Sequence, residues 1–275
     1  MAALEEGSEV SAPDLTFRAC SSIEDFRQCV DLQKAVWNFD EVDVLPLHAF
    51  VVAQEIGGQT FAAFEPGGRM VGFVFALPGI RNSRPYFHSH MLGVLEEYRD
   101  RGIGWRLKLM QRAEALERGI GLIEWTFDPL ELRNAFFNLE RLGAIVRRYI
   151  PNRYGISTAA LHAGLPTDRL VAEWRLDSPR VAGLLGTAEA AIGAGRPPVA
   201  RHIEVPPDIG EIKYRDRPRA YDMQQRLRRE FEQAFAEGLV VAGFEKPGAY
   251  LLSAECGMRS EPTADRSSYA QIRFS

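Results

Sequence analysis

A run of aromatic and branched residues from Phe87 to Leu95 gives way to Tyr98-Arg99-Asp100-Arg101-Gly102-Ile103-Gly104, then to residues that read as a helix over about 103–118, ending at Gly119. Two glycines at such a junction let the backbone turn tightly and approach a ligand closely. A helix starting there leaves its first N–H groups without intrahelical acceptors. With Arg99, Arg101, Arg106 and Lys108 around it, the junction is suited to an anion, most often a phosphate. A Walker loop is excluded, because Trp105-Arg106 follows Gly104 where Lys-Ser/Thr would be needed. A dinucleotide fingerprint is excluded, because the run Gly102 to Leu107 has no third glycine in place.

Other reactive side chains cluster around this junction in sequence. Alternation puts His88, His90, Leu92 and Val94 on one face of the preceding strand. Glu124 falls on the next strand. Asn134, Asn138 and Arg141 are spaced to share one side of the helix after that. Arg147, Arg148 and Arg153 follow, a set able to hold a carboxylate. Cys20, Cys29 and Cys256 lack metal-ligand spacing, so no metal site is expected, and unpaired thiols suit a reducing, cytoplasmic setting.

The elements that must position these groups read in order. A tail to about Leu15 precedes a strand at Thr16–Ala19 and a helix capped by Ser22, with stripe Phe26, Cys29/Val30, Gln33, Val36/Trp37. A second helix spans about 47–56, and strands follow at Thr60–Phe64 and Met70–Leu77 around Pro66-Gly67-Gly68. After the junction helix come a strand over 121–127 and a helix capped by Asp128, with Pro129 at its first position and Glu131 at its third. That helix stops at Gly143, and a strand at Ala144–Ile150 follows. The order is β-α-α-β-β-β-α-β-α-β.

The pattern Arg99-x-x-Gly102-x-Gly104 behind L-G-V-L-E-E-Y-R, in this element order, resembles the acyl-CoA-binding motif of the GNAT family of N-acetyltransferases. The resemblance covers residues 16–150, about half the chain. It implies an α/β fold with a mixed sheet whose fourth and fifth strands splay to admit the acyl-pantetheine. It implies that Leu92, Val94, Arg99, Asp100, Arg101, Gly102, Ile103, Gly104 and Trp105 bind acyl-CoA, with Asn134 and Asn138 beside the pantetheine. The family's usual tyrosine, aligned on Gly143, falls at Leu139, so the general acid is missing from its place. Tyr149 and Tyr154 follow nearby as candidate substitutes, or the thiolate leaves without a dedicated acid; the candidate bases are His88, His90 and Glu124. The expected reaction is direct attack of a small-molecule amine on acetyl-CoA, or on a larger donor such as succinyl-CoA. A non-catalytic acyl-CoA-binding module is the alternative.

The expected organisation is a tail at 1–15, the acyltransferase domain at 16–156, a C-terminal α/β extension at 157–256 and a polar tail at 257–275. Within the extension, an amphipathic helix at Arg219–Ala236 has stripe Tyr221, Gln224, Leu227, Phe231 and Ala234/Phe235. A hairpin follows at 239–254, turning through Lys246-Pro247-Gly248. The extension is expected to wall the acceptor pocket or form a homodimer contact. A formal charge of −4 argues against a nucleic-acid partner, and no apolar run reaches the length of a membrane span.

Overall fold

The computed structural model describes residues 14–155, 162–186 and 197–254. Residues 1–13 of the expected tail at 1–15, the expected tail at 257–275 and Cys256 lie outside the described residues. One ten-stranded sheet runs through the molecule in the order β1-β2-β3-β4-β5-β7-β6-β9-β10-β8. Its strands are β1 (Thr16–Ala19), β2 (Gln59–Phe64), β3 (Met70–Arg81), β4 (Arg84–Val94), β5 (Leu122–Phe127), β6 (Ile145–Ile150), β7 (Arg169–Arg175), β8 (Arg201–Glu204), β9 (Leu239–Glu245) and β10 (Ala249–Ala254). The pair β4–β5 is parallel, as the intervening helix α3 (Ile103–Glu117) requires, and the other pairs are antiparallel.

Helices cover both faces. On one side α1 (Ile23–Trp37) and α2 (Leu47–Glu55) bury Phe26, Cys29, Leu32 and Phe50 against Phe73 and Phe75 of β3. Ser22 and Asp25 form the capping box that starts α1. Gln33, a polar residue on the apolar stripe, is fully buried because both ends of its amide bond Leu45: Nε2 donates to the carbonyl (3.1 Å) and Oε1 accepts from the N–H (2.8 Å). On the other side lie α3, α4 (Leu132–Phe136), α5 (Pro179–Leu184), α6 (Ile209–Arg215) and α7 (Arg217–Ala236). The amphipathic face of α7 buries Ala220, Gln224, Leu227, Phe231 and Ala234, while Tyr221 stays exposed, so Ala220 takes its expected place in the stripe.

The expected boundary at 156/157 falls inside this sheet. Strand β7, from the second half, lies between β5 and β6, pairing Glu124 with Glu173 and Tyr149 with Leu170. Strand β9 then joins β6 at Val146↔Val241. One hydrophobic core spans both halves, from Phe127 and Trp174 to Phe231 and Tyr250. The second half is therefore a continuation of the same sheet.

Two local irregularities matter for the site. The register of β3 against β4 shifts between Phe75↔Met91 and Ala76↔Ser89, leaving His90 as the extra residue of a β-bulge. The helix after β5 begins at Leu132, three residues later than a cap at Asp128 would allow, and passes into a π-helical turn at Phe137–Arg141. Asp128 instead accepts from the Leu130 N–H (2.8 Å) and pairs with Lys213 of α6 (3.3 Å), while Glu131 pairs with Lys213 at 2.7 Å. These partners from the second half hold the carboxylates that the local sequence assigns to a helix cap. Asp128 is buried, yet His162 at 3.8 Å, the nearby Lys213 and Arg169 and the Leu130 N–H keep its pKa down at about 2.

Candidate active site

Strands β4 and β5 touch only at Phe87↔Ile123 and His88↔Glu124 and then part. Beyond that point β4 follows β3 and β5 follows β7. The gap leads to the junction at the end of β4, where a short 3-10 turn (Glu96–Tyr98) precedes α3. Gly102 stands at the N-cap of α3 with φ 75°, a left-handed conformation in which glycine carries no Cβ penalty, and no side chain caps the helix. The first intrahelical bond runs from the Arg106 N–H to the Gly102 carbonyl, so the Ile103, Gly104 and Trp105 amides precede the ladder. Unpaired amides at a helix N-terminus are a ready anion site.

A cavity of about 820 Å³ opens on these amides. Of the residues expected to bind acyl-CoA, Val94, Arg99, Asp100, Gly102, Ile103, Gly104, Trp105 and Asn134 line this cavity. The remaining three expected ligands do not. Leu92 packs with Ile103 and Leu107 beneath α3. Arg101 lies over the Tyr98 ring, 5.3 Å from its centroid. Asn138 is buried within the π-helical turn, because the wider turn breaks the four-residue spacing that would keep it in line with Asn134. Phe136, Phe137 and Arg141 of the same segment line the cavity instead.

The bulge also overturns the expected common face of the β4 residues. His88 and His90 lie together, ring centroids 6.1 Å apart, with His90 6.4 Å from Phe75 on the α1/α2 side. The inserted residue changes the phase, so Leu92 and Val94 turn to the α3 side and pack with Ile103 and Leu107. His90 is exposed beside the gap between β4 and β5. The protein packed around both rings lowers their pKa values by desolvation, although the His90 side chain keeps access to solvent. That of His88 falls to about 4, helped by His90 and Arg153, and that of His90 is also lowered, with Arg153 adding to the effect. Both rings are therefore neutral at neutral pH.

Glu124 is 2% exposed and held in a charge network. Arg81 grips it from β3 through both guanidinium nitrogens, one at 2.7 Å, and Arg148 donates from β6 at 2.9 Å. These partners lower its pKa despite burial, which makes it a weak proton acceptor. Its role is to tie β3, β5 and β6 together beneath the gap. Glu124→Gln is expected to lower stability by about 1–2 kcal/mol, discounted because both arginines are partly exposed. Denaturant unfolding of the two proteins measures this. Since the lowered pKa supplies stability above the ordinary carboxylate range, the gap between them should close as pH falls below about 4.

Tyr149 is likewise drawn elsewhere. Its hydroxyl donates to Asp168 (2.6 Å), its ring stacks on Phe231 of α7, and burial with the Asp168 charge raises its pKa. Arg228 completes that cluster with hydrogen bonds to Asp168 at 2.8 to 3.1 Å. Tyr154 is better placed. It is 47% exposed, and its hydroxyl lies 3.2 Å from the Thr126 Oγ1, on β5 past the point where β5 leaves β4. Arg153 and Arg169 each lie 5.4 Å from its ring centroid. Of the three arginines expected to hold a carboxylate, Arg147 is paired with Glu173 (2.6 Å) and Arg148 with Glu124, whereas Arg153 forms no ion pair among the described residues.

The second half supplies lining that local sequence did not signal: Pro207, Phe244, Lys246 and Pro247. The available signal is the Pro-Gly hairpin turn itself, but its neighbour in space is α4, more than a hundred residues away. Among the described residues no group of three or more His, Cys, Asp or Glu is arranged to hold a metal, and no helix is long and apolar enough to cross a membrane.

Residues 24–143 match the family model described as acetyltransferase (GNAT) family. No curated protein sequence matches the chain. Among solved structures, a protein of Acinetobacter baylyi ADP1 assigned as an acetyltransferase aligns over 62% of this chain and 97% of its own, with 16% identity and a TM-score of 0.50. The ribosomal-protein-S18-alanine N-acetyltransferase of Escherichia coli aligns over 60% and 95%, with 14% identity and a TM-score of 0.47. The first likeness is one of fold: a mixed α/β sheet of the acetyltransferase type. The uncapped α3 terminus and the parting of β4 from β5 both fall within residues 24–143, the segment that matches an acetyltransferase domain of the GNAT family.

Proposed function

We propose that the domain transfers an acyl group, acetyl by default, from acyl-CoA to the amine of a small molecule that also bears an acidic group. The observation that carries this is the uncapped, glycine-opened start of α3 beside the gap between β4 and β5. The free α3 amides suit a pyrophosphate, and the adjoining cavity of about 820 Å³ gives room for the adenosine. Bound there, acyl-CoA supplies the thioester.

The chain's own groups then meet the remaining needs. His90, neutral at physiological pH, accepts the proton that the attacking amine must lose. The amine nitrogen bonds to the thioester carbon, the carbon–sulfur bond breaks, and the sulfur leaves as thiolate. Tyr154 donates a proton to that sulfur from the β5 side of the gap. Arg153, beside Tyr154 and near enough to His88 and His90 to lower their pKa values, offers its guanidinium to an acceptor carboxylate. No side chain in this cluster is arranged as an activated nucleophile, which favours direct attack over a covalent enzyme intermediate.

The test is thiol release from acetyl-CoA and succinyl-CoA across a panel of amines, amino acids included. Tyr154→Phe and His90→Gln are each expected to lower kcat about tenfold with KM for acyl-CoA unchanged. Unchanged kcat in both would remove these roles. A panel in which amines without an acidic group react best would remove the Arg153 assignment.

A further inference from the structure

We propose that the second half of the chain completes the donor site, with Lys246 at the tip of the β9–β10 hairpin binding the 3′-phosphate of the CoA adenosine. This rests on the acyl-CoA reading of the α3 turn and adds a ligand from outside residues 24–143, where the family match ends.

The cavity has two kinds of lining: the α3 amides from Ile103 to Trp105, and the aromatic and cationic groups Phe136, Phe244 and Lys246. CoA carries two separate anionic groups, the pyrophosphate and the 3′-phosphomonoester on the ribose. The amides serve the first, and a cation on the same cavity wall serves the second. The cations nearer the turn are engaged. Arg133 pairs with Asp100 at 2.6 Å, Arg99 donates to the Val94 carbonyl at 3.3 Å, and Arg141 lies over the Trp105 ring. Lys246 forms no ion pair among the described residues. Its ammonium sits 4.3 Å from the centroid of the Phe136 ring, held at the cavity wall by that contact.

The hairpin is fixed in position. Glu140 accepts from the Phe244 N–H at 2.6 Å, and the buried Tyr250 hydroxyl donates to the Pro129 carbonyl at 2.7 Å. These bonds join β9 and β10 to the segment around α4 that forms the cavity's side wall. A cation so placed needs little ordering on binding. The aromatic rings beside it offer a stacking surface for the adenine.

The experiment is calorimetric titration of the full chain with CoA and with dephospho-CoA, which lacks only the 3′-phosphate. The wild type should bind CoA about tenfold more tightly, a difference of about 1.4 kcal/mol. Lys246→Ala should bring the two affinities together by weakening CoA and leaving dephospho-CoA within about twofold. Lys246→Glu should reverse the preference. Lys246 is exposed, so the melting temperature should not move. A wild-type ratio near one, or a ratio that survives Lys246→Ala but is erased by Arg133→Ala, would overturn the proposal while leaving the donor reading intact. Failure of the wild type to bind either ligand would remove the donor reading itself.

Discussion

Gly104→Glu raises the dissociation constant for CoA at least about a hundredfold and leaves the protein folded. The binding loss has two sources. The new side chain starts at the second residue of α3, where the cavity opens, so its carboxylate reaches the free amides that would otherwise receive the pyrophosphate. It also brings negative charge against a ligand whose affinity depends on that anion site. A loss of about 3 kcal/mol corresponds to the hundredfold change. The fold survives because Gly104 has ordinary helical backbone, and a Cβ there would meet Leu92 methyl groups at 3.6 and 4.0 Å, a normal contact. A glutamate in the first turn of a helix is itself mildly stabilising. Gly102→Glu would block the same space, but the residue has φ +75° and any side chain there adds strain, so Gly104 separates binding from stability more cleanly. Thermal melting and calorimetric titration of the variant measure the two effects. Unaltered CoA affinity in a folded Gly104→Glu protein would show that the α3 terminus is not the anion site.

Lys108→Met stabilises the protein by about 2–4 kcal/mol at pH 7. Lys108 is 2% exposed, one helical turn beyond Gly104 and beneath the start of the gap between β4 and β5. Its ammonium donates to the Ser89 hydroxyl at 2.7 Å and to Gln111 Oε1 at 3.1 Å, and lies 3.9 Å from the centroid of the Trp125 ring. Among the described residues no carboxylate pairs with it, and burial alone lowers its pKa to about 7. A lowered lysine pKa means that the unfolded chain binds more protons between about pH 7 and pH 10.5, so stability rises with pH across that window. Methionine keeps the packed stem against Trp125 and removes the charge. Ser89 still has a partner, since its hydroxyl lies 3.1 Å from Gln111 Oε1. The variant should therefore show both a higher denaturation midpoint at pH 7 and a flatter rise between pH 7 and pH 10. Equal stability of the two proteins at pH 7 would mean that the ammonium is better solvated than its surroundings indicate.

What the sequence made legible follows the range of the interactions. The turn at Arg99–Gly104, the capping box at Ser22, the α7 stripe and the β9–β10 hairpin all depend on residues within one turn or a few positions of each other. Several misreadings have a partner distant in sequence. A cap at Asp128 fits its neighbours Pro129 and Glu131, but Lys213 and His162 claim its carboxylate. The family's tyrosine position holds Leu139, which leaves Tyr149 and Tyr154 as nearby substitutes, and only the tertiary structure shows Asp168 and Arg228 holding the first while Thr126 draws the second to β5. Glu124 lies on the expected strand, yet its character is set by Arg81 and Arg148. The β4 bulge at His90 and the π-helical turn at Phe137–Arg141 each break a strict period, and period counting cannot detect an inserted residue. The assignment of a cavity wall to Phe244, Lys246 and Pro247 needs the register of β6 with β9, which no local pattern encodes.

The central claim is that the α3 turn and the cavity beside it are an acyl-CoA site. Calorimetric titration of the full chain with CoA, acetyl-CoA and succinyl-CoA tests it most directly. Micromolar binding of all three, with one thioester preferred, is the predicted result, and the preferred thioester identifies the donor. Absence of binding at millimolar ligand, both alone and with the amine panel present, would contradict it.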